Sequence, residues 1–99
     1  MAKTQGQDFN FFQKTTVSST QFGTNPDMII TFKTSGAVFH IEGTGVVEYS
    51  FNGTTVHGEL NYGTNRATLN FVNRNICLIW FRVKSGTNPV VSVEAWAQQ

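Results

Sequence analysis

The sequence predicts an all-β fold, a small antiparallel β-sandwich or jelly roll of seven to eight strands. Composition is the first reason. Nine Phe, thirteen Thr and ten Val stand against three Leu and five Ala, and aromatic and β-branched residues suit a pleated sheet whereas helix formers are scarce. The second is punctuation: short runs of alternating apolar and polar residues are broken by Gly, Asn and Pro, and no segment repeats at helical period. The third is the run over residues 76–84, Ile-Cys-Leu-Ile-Trp-Phe-Arg-Val-Lys. At a period of two, Ile76, Leu78, Trp80 and Arg82 share one face, and Cys77, Ile79, Phe81 and Val83 the other. Both faces are largely apolar, as in a strand covered on both sides. Exposed at an edge, so uncharged a run would aggregate. It belongs in the middle of a sheet, or where another subunit covers its second face.

Ninety-nine residues, 39% of them apolar, make one domain with a single core, spanning 1–99. A formal net charge of +1 gives no electrostatic reason to expect nucleic acid or an anionic membrane as partner. The single cysteine, Cys77, excludes an intrachain disulfide and a cysteine metal cage. Its apolar neighbours predict a buried, inert thiol. The polar N-terminus reads as leaderless, and no apolar run approaches membrane-spanning length, so synthesis in a cytoplasm is expected.

In chain order, residues 1–8 form a polar arm. Phe9, Phe11 and Phe12 follow, either as an edge strand closing its own domain or as an arm docking on a neighbouring subunit. Residues 15–24 are Ser/Thr-rich and weakly extended, ending in the turn Gly23-Thr24-Asn25-Pro26. Residues 28–34 turn Met28, Ile30 and Phe32 inward, and Ser35-Gly36 leads into 37–41 with Ala37, Phe39 and Ile41 inward. The two runs read as a hairpin. Residues 46–51 carry Val47, Tyr49 and Phe51 on one side. Asn52-Gly53 predicts a type I′ turn, with both central residues at positive φ, into a partner strand over 54–60. There Gly58 marks a bulge or a close approach. Residues 66–72 turn Ala67, Leu69 and Phe71 inward. The run 76–84 follows, and 90–97 returns with Val91, Val93, Ala95 and Ala97 on one face and Glu94 and Trp96 on the other. Gly-Thr-Asn occurs at 23–25, 63–65 and 86–88; the flanking strands do not match, so this is repeated turn chemistry and not an internal repeat.

No chemistry-bearing constellation is legible. His40 and His57, with Glu42 and Glu59 nearby, lack a third ligand, so no metal site is expected. The six carboxylates offer no acid–base pair, and no nucleophile elbow, phosphate loop or calcium loop is present. No catalytic residue and no cofactor is predicted. Trp80, Tyr49, Tyr62 and Trp96 suggest a carbohydrate platform, with Trp96 and Tyr62 as its candidates. Phe9, Phe11, Phe12 and Phe22, all in the N-terminal quarter outside the patterned hairpins, together with Trp96 exceed what a single two-layer core can cover, which makes Phe9, Phe11, Phe12 and Trp96 candidate interface residues. Arg74 and Arg82 join them, because arginine pairs bidentately and stacks on rings. Arg82 is expected to meet Glu94 or to cover Trp96.

The C-terminal half adds a resemblance. Ser50-Phe51-Asn52-Gly53, Val56-His57-Gly58-Glu59-Leu60, Phe71-Val72-Asn73-Arg74, Ile79-Trp80-Phe81-Arg82 and Val93-Glu94-Ala95-Trp96-Ala97 together resemble the ending of small virion structural proteins of tailed bacteriophages. The likeness spans about residues 46–97. It implies a non-enzymatic virion protein made in the bacterial host cytoplasm, foremost a capsid decoration (cement) protein that binds and stabilises the outer shell. A neck, tail or fibre component is the alternative within that class, and a carbohydrate-binding module the alternative outside it. The partners implied are copies of the chain itself, with a trimer as the expected state, and other virion proteins such as the major capsid protein.

Overall fold

Alternation at a period of two decides which side chains of each strand turn inward, and it does so across the computed structural model, which describes residues 9–97. The polar arm expected at 1–8 lies outside the described residues. Among the described residues eight strands form: β1 (Asn10–Thr16), β2 (Met28–Ile29), β3 (Gly36–Ile41), β4 (Gly45–Ser50), β5 (Gly58–Asn61), β6 (Thr68–Val72), β7 (Leu78–Gly86) and β8 (Val90–Trp96). They make two four-stranded sheets, in the orders β1-β8-β3-β6 and β2-β7-β4-β5. Every strand pair is antiparallel.

The order shows how the chain is wound. β1 pairs with β8, β2 with β7, β3 with β6 and β4 with β5. The chain is thus one long hairpin whose successive strand pairs alternate between the sheets. That is the eight-stranded jelly roll. Only β4 and β5 are consecutive in sequence and neighbours in a sheet. The hairpin expected between residues 28–34 and 37–41 is accordingly absent: β2 pairs with β7, and Ser35 carries the chain across to the other sheet.

The inner faces close on an aromatic cluster. Phe39, fully buried, has the rings of Phe71, Tyr49, Phe81 and Phe51 at 4.7, 5.3, 6.0 and 6.2 Å between centroids. Ala37, Ile41, Val47, Leu60, Ile79, Val91 and Val93 fill the space around it with no exposed surface. The cluster draws on β3, β4, β6 and β7, so it joins the two sheets. Gly58 lies beneath the Tyr49 ring, a close approach that leaves no room for a Cβ. Burial raises the Tyr49 phenol above its ordinary value, against the opposing pull of Arg66 and Arg74. Above pH ~10 the unfolded chain has released this proton while the folded chain still holds it. Stability therefore falls as pH rises through that window. Urea melts between pH 9 and 11 should show a steeper loss for the wild type than for Tyr49→Phe; parallel slopes would remove Tyr49 as the cause.

The crossings between sheets are tied by buried polar groups. Thr34, 4% exposed, donates its hydroxyl to the Arg74 carbonyl at 2.9 Å and accepts the Ile76 N–H. The Asn75 side chain accepts the Thr34 N–H at 3.1 Å. One side chain thus ties the β2–β3 crossing to the β6–β7 crossing. Thr34→Val keeps the shape but leaves the Ile76 N–H without an acceptor. A loss of about 1–3 kcal/mol is expected in urea unfolding, and a loss below the error of the fit would show that another acceptor replaces the hydroxyl.

Two further expectations are corrected, and the choice of place for β7 is made. Cys77 is exposed, because the regular strand begins only at Leu78 and the two-residue alternation does not reach back to it. Among the non-glycine residues, Asn73 and Asn88 have positive φ, not Asn52. The β4–β5 hairpin exists, but its loop is wide. The Asn52 side chain accepts the N–H groups of Thr54 and Thr55, both at 2.9 Å, and the Ser50 hydroxyl accepts that of Gly53 at 2.9 Å. These local caps turn the chain without a type I′ bend. Finally, β7 is an inner strand, as expected, and its outer face is covered from within the chain at Trp80 while Leu78 on that face stays 39% exposed. Trp80, 8% exposed, donates Nε1–H to the Gly23 carbonyl at 3.1 Å, under a strap formed by residues 17–27. Asp27 fastens the strap by accepting the Phe81 N–H at 2.7 Å.

Candidate functional site

Strand register places the outward side chains of the first sheet in rows. Asn10, Trp96, Gly36 and Val72 form one row, and Phe12, Glu94, Val38 and Asn70 the next. Lys14, Ser92, His40 and Thr68 form a third. The first two rows are where apolar side chains stay outside. Phe12 is 59% exposed, Val72 75% and Trp96 38%, and Val38 is half-buried between them. The Trp96 ring lies flat over Gly36, where a Cβ would sit 2.8 Å from the indole. Without a side chain at 36, the ring reaches across β3 toward Val72. A shallow hollow opens beside it between Asn10, Phe12, Glu94 and Trp96. Glu94 is the charge within these two rows, and the third row is polar, with Lys14 paired to Glu42 at 3.0 Å. Exposed aromatic and aliphatic side chains interspersed with polar ones, Glu94 lying between Phe12 and Val38, give this face aromatic anchors of the kind that protein-contact surfaces carry.

Two of the expected interface residues face elsewhere. Phe11 packs against the core, and Phe9 meets the edge of the Phe32 ring at 5.7 Å between centroids. The domain covers both, because Phe11 has the inward parity of β1 and Phe12 the outward. Phe22, which the sequence left without a place, is half-buried in the strap over β7. Arg74 is exposed, with its guanidinium 4.8 Å from the Phe51 ring centroid and 5.9 Å from that of Phe71. Arg82 does not meet Glu94 or Trp96, which belong to the other sheet. It donates Nε–H to Glu48 on β4 at 2.7 Å and lies 4.6 Å from the centroid of Phe22. The correction follows from topology: the strand after β7 crosses to the opposite sheet, so the return strand is not its neighbour.

Trp96 and Tyr62 form no common platform. Tyr62 follows β5, and its N–H bonds the Gly45 carbonyl at the start of β4, whereas Trp96 sits beside the start of β3 in the other sheet. Trp80 and Tyr49 are buried. A smaller apolar spot exists on the second sheet, where Ile29, 57% exposed, neighbours Leu78, 39% exposed.

The histidines are occupied by local structure. His40 Nδ1 is 2.7 Å from the Thr68 hydroxyl. His57 stacks on Phe51 and accepts that residue's N–H at Nδ1, 3.0 Å away. Among the described residues, no three His, Cys, Asp or Glu side chains gather where one metal ion could bind them. No family model, curated protein or solved structure matches the chain.

Proposed function

We propose that the chain is a non-enzymatic structural protein of a tailed-phage virion. In this reading it is a decoration protein that docks on the capsid exterior and adds contacts between capsomers. The observation that carries the proposal is the apolar surface made by Phe12, Trp96, Val38 and Val72 on the outside of a jelly roll, a fold recurrent in viral shells. Fold alone does not assign a role; the resemblance of residues 46–97 to small phage virion proteins points the same way. Phe12 is an aromatic anchor of the kind that dominates interface energetics. The same surface would serve self-association, with a trimer as the expected state.

Two measurements test this. Labelled chain should be located on the capsid of purified virions of the phage that encodes it. Label on the tail or neck alone would overturn the decoration role in favour of a tail, neck or fibre component, and no label on the particle would overturn the virion reading. The second is co-sedimentation with shells stripped of accessory proteins. Phe12→Ser should weaken it by about tenfold or more, the loss of one anchor worth over ~1.4 kcal/mol, while the melting curve stays within a few degrees. Unchanged co-sedimentation would remove this face as the contact.

A further inference from the structure

On the second sheet, away from the apolar face, the strap and the β4–β5 loop enclose an open polar hollow of about 600 Å³. Its floor is the Arg82–Glu48 pair on adjacent inner strands, and Thr20, Gln21, Phe22 and Thr54 form its walls. The pair is joined by one hydrogen bond only, Arg82 Nε–H to Glu48 Oε1 at 2.7 Å. Arginine and a carboxylate commonly meet through two parallel bonds. Here both terminal guanidinium nitrogens and Glu48 Oε2 have no hydrogen-bond partner among the described residues. Neither group is free to swing out: the side chains are 32% and 15% exposed, and Phe22 stacks on the guanidinium at 4.6 Å. Of the walls, the side chains of Thr20 and Gln21 make no hydrogen bond among the described residues, and the Thr54 hydroxyl, which donates to Asn52 at 3.2 Å, keeps its acceptor pairs.

We infer that this hollow is a binding site for a neutral pyranose, the sugar ring of a glycan. The floor presents N–H donors and a carboxylate acceptor side by side. Two adjacent hydroxyls of a sugar satisfy both, one oxygen accepting from Arg82 while the neighbouring hydroxyl donates to Glu48. The floor's formal charges cancel. An anionic ligand would meet Glu48 and a cationic one Arg82, each at close range, so charge selects against both. Groups held on strands and braced by an ion pair are already ordered, which suits a ligand that contributes little apolar area. The site is distinct from Trp96 and Tyr62, and the inference does not rest on the virion reading.

The test is a titration of the ¹⁵N-labelled full chain, followed by amide shifts, with the methyl pyranosides of glucose, galactose, mannose and N-acetylglucosamine. Glucose 6-phosphate and choline are the charged controls. At least one neutral pyranoside should give saturable shifts centred on Gln21, Phe22, Gly53 and Thr54. Glu48→Gln, which keeps the shape of the side chain and removes its charge, should weaken that binding about tenfold or more. Thr20→Trp, at an exposed wall position outside the ion pair, should abolish it by filling the hollow, and this variant decides the matter if Glu48→Gln unfolds. Phe12→Ser should leave it unchanged. The inference is overturned if none of the neutral pyranosides saturates these amides, if a charged control binds more tightly, or if Thr20→Trp binds as well as the wild type.

Discussion

Phe39→Ala is expected to lower the melting temperature by at least ~12 °C and to remove about 3–5 kcal/mol of stability. The side chain has no exposed surface and is in ring contact with Tyr49, Phe51, Phe71 and Phe81. Truncation therefore removes transfer free energy and leaves a cavity among four rings. Those rings are held by strands of both sheets, which cannot collapse toward the space without losing their own register. Total stability of a domain of this size is about 5–15 kcal/mol, so at the lower end of that range the variant would be substantially unfolded at 37 °C. Differential scanning calorimetry checks it. A loss under ~2 kcal/mol would mean that the aromatic cluster repacks around the gap. Phe39→Leu, which refills part of the volume, should recover part of the loss, and failure to recover would point to ring geometry over volume.

Gly86→Ala is expected to cost about 2–4 kcal/mol. Gly86 closes β7 at φ 95° opposite Gly45 of β4, itself at φ 146°. A Cβ at 86 would sit 2.6 Å from the Thr44 carbonyl oxygen and 2.7 Å from Gly45 Cα. Both obstacles are backbone, which cannot turn aside as a side-chain tip can. Gly63, at φ 80° with open space around it, is the control: Gly63→Ala carries the backbone strain without the collision. Urea unfolding of the two variants separates the contributions, and a loss in Gly86→Ala no larger than in Gly63→Ala would show that the β4–β7 contact relaxes. Both glycines open a Gly-Thr-Asn turn, and so does Gly23, whose φ is not positive. The same tripeptide thus occurs with Gly at positive φ twice and without it once.

The predicted site was half legible. Phe12 and Trp96 could be read as outward because parity along β1 and β8 is a local property. Phe9 and Phe11 could not be placed, since whether an aromatic near a chain end is covered depends on what lies across from it, here Phe32 and the core. No sequence signal joined Val38 and Val72 to Trp96. They share one face only because β3 lies between β8 and β6, and Gly36 leaves room on it for the indole. The Arg82–Glu48 pair was invisible for the same reason. Residues 34 positions apart become neighbours through pairing of inner strands that carry no motif.

Alternation, turn residues and composition were enough to specify the all-β class, the inward faces and most of the strands, because each depends on residues a few positions apart; the run over 28–34 is a strand only at Met28–Ile29, and that over 54–60 only from Gly58. Val47 and Tyr49, or Val91, Val93 and Ala95, point inward wherever their strand is placed. Which strand lies beside which is a different matter. Adjacent runs joined by Ser35-Gly36 or by Thr87-Asn88-Pro89 have the short connections of hairpins, yet both connections cross between the sheets. A turn sets the direction of the chain, while strand partners are chosen by the burial of two apolar faces against each other. Phe39 and Phe81 must meet across the layers, and a hairpin-by-hairpin meander in a single sheet would leave that face in water. Pairing first strand with last therefore arose from the closure of the whole core, which no local window of sequence contains.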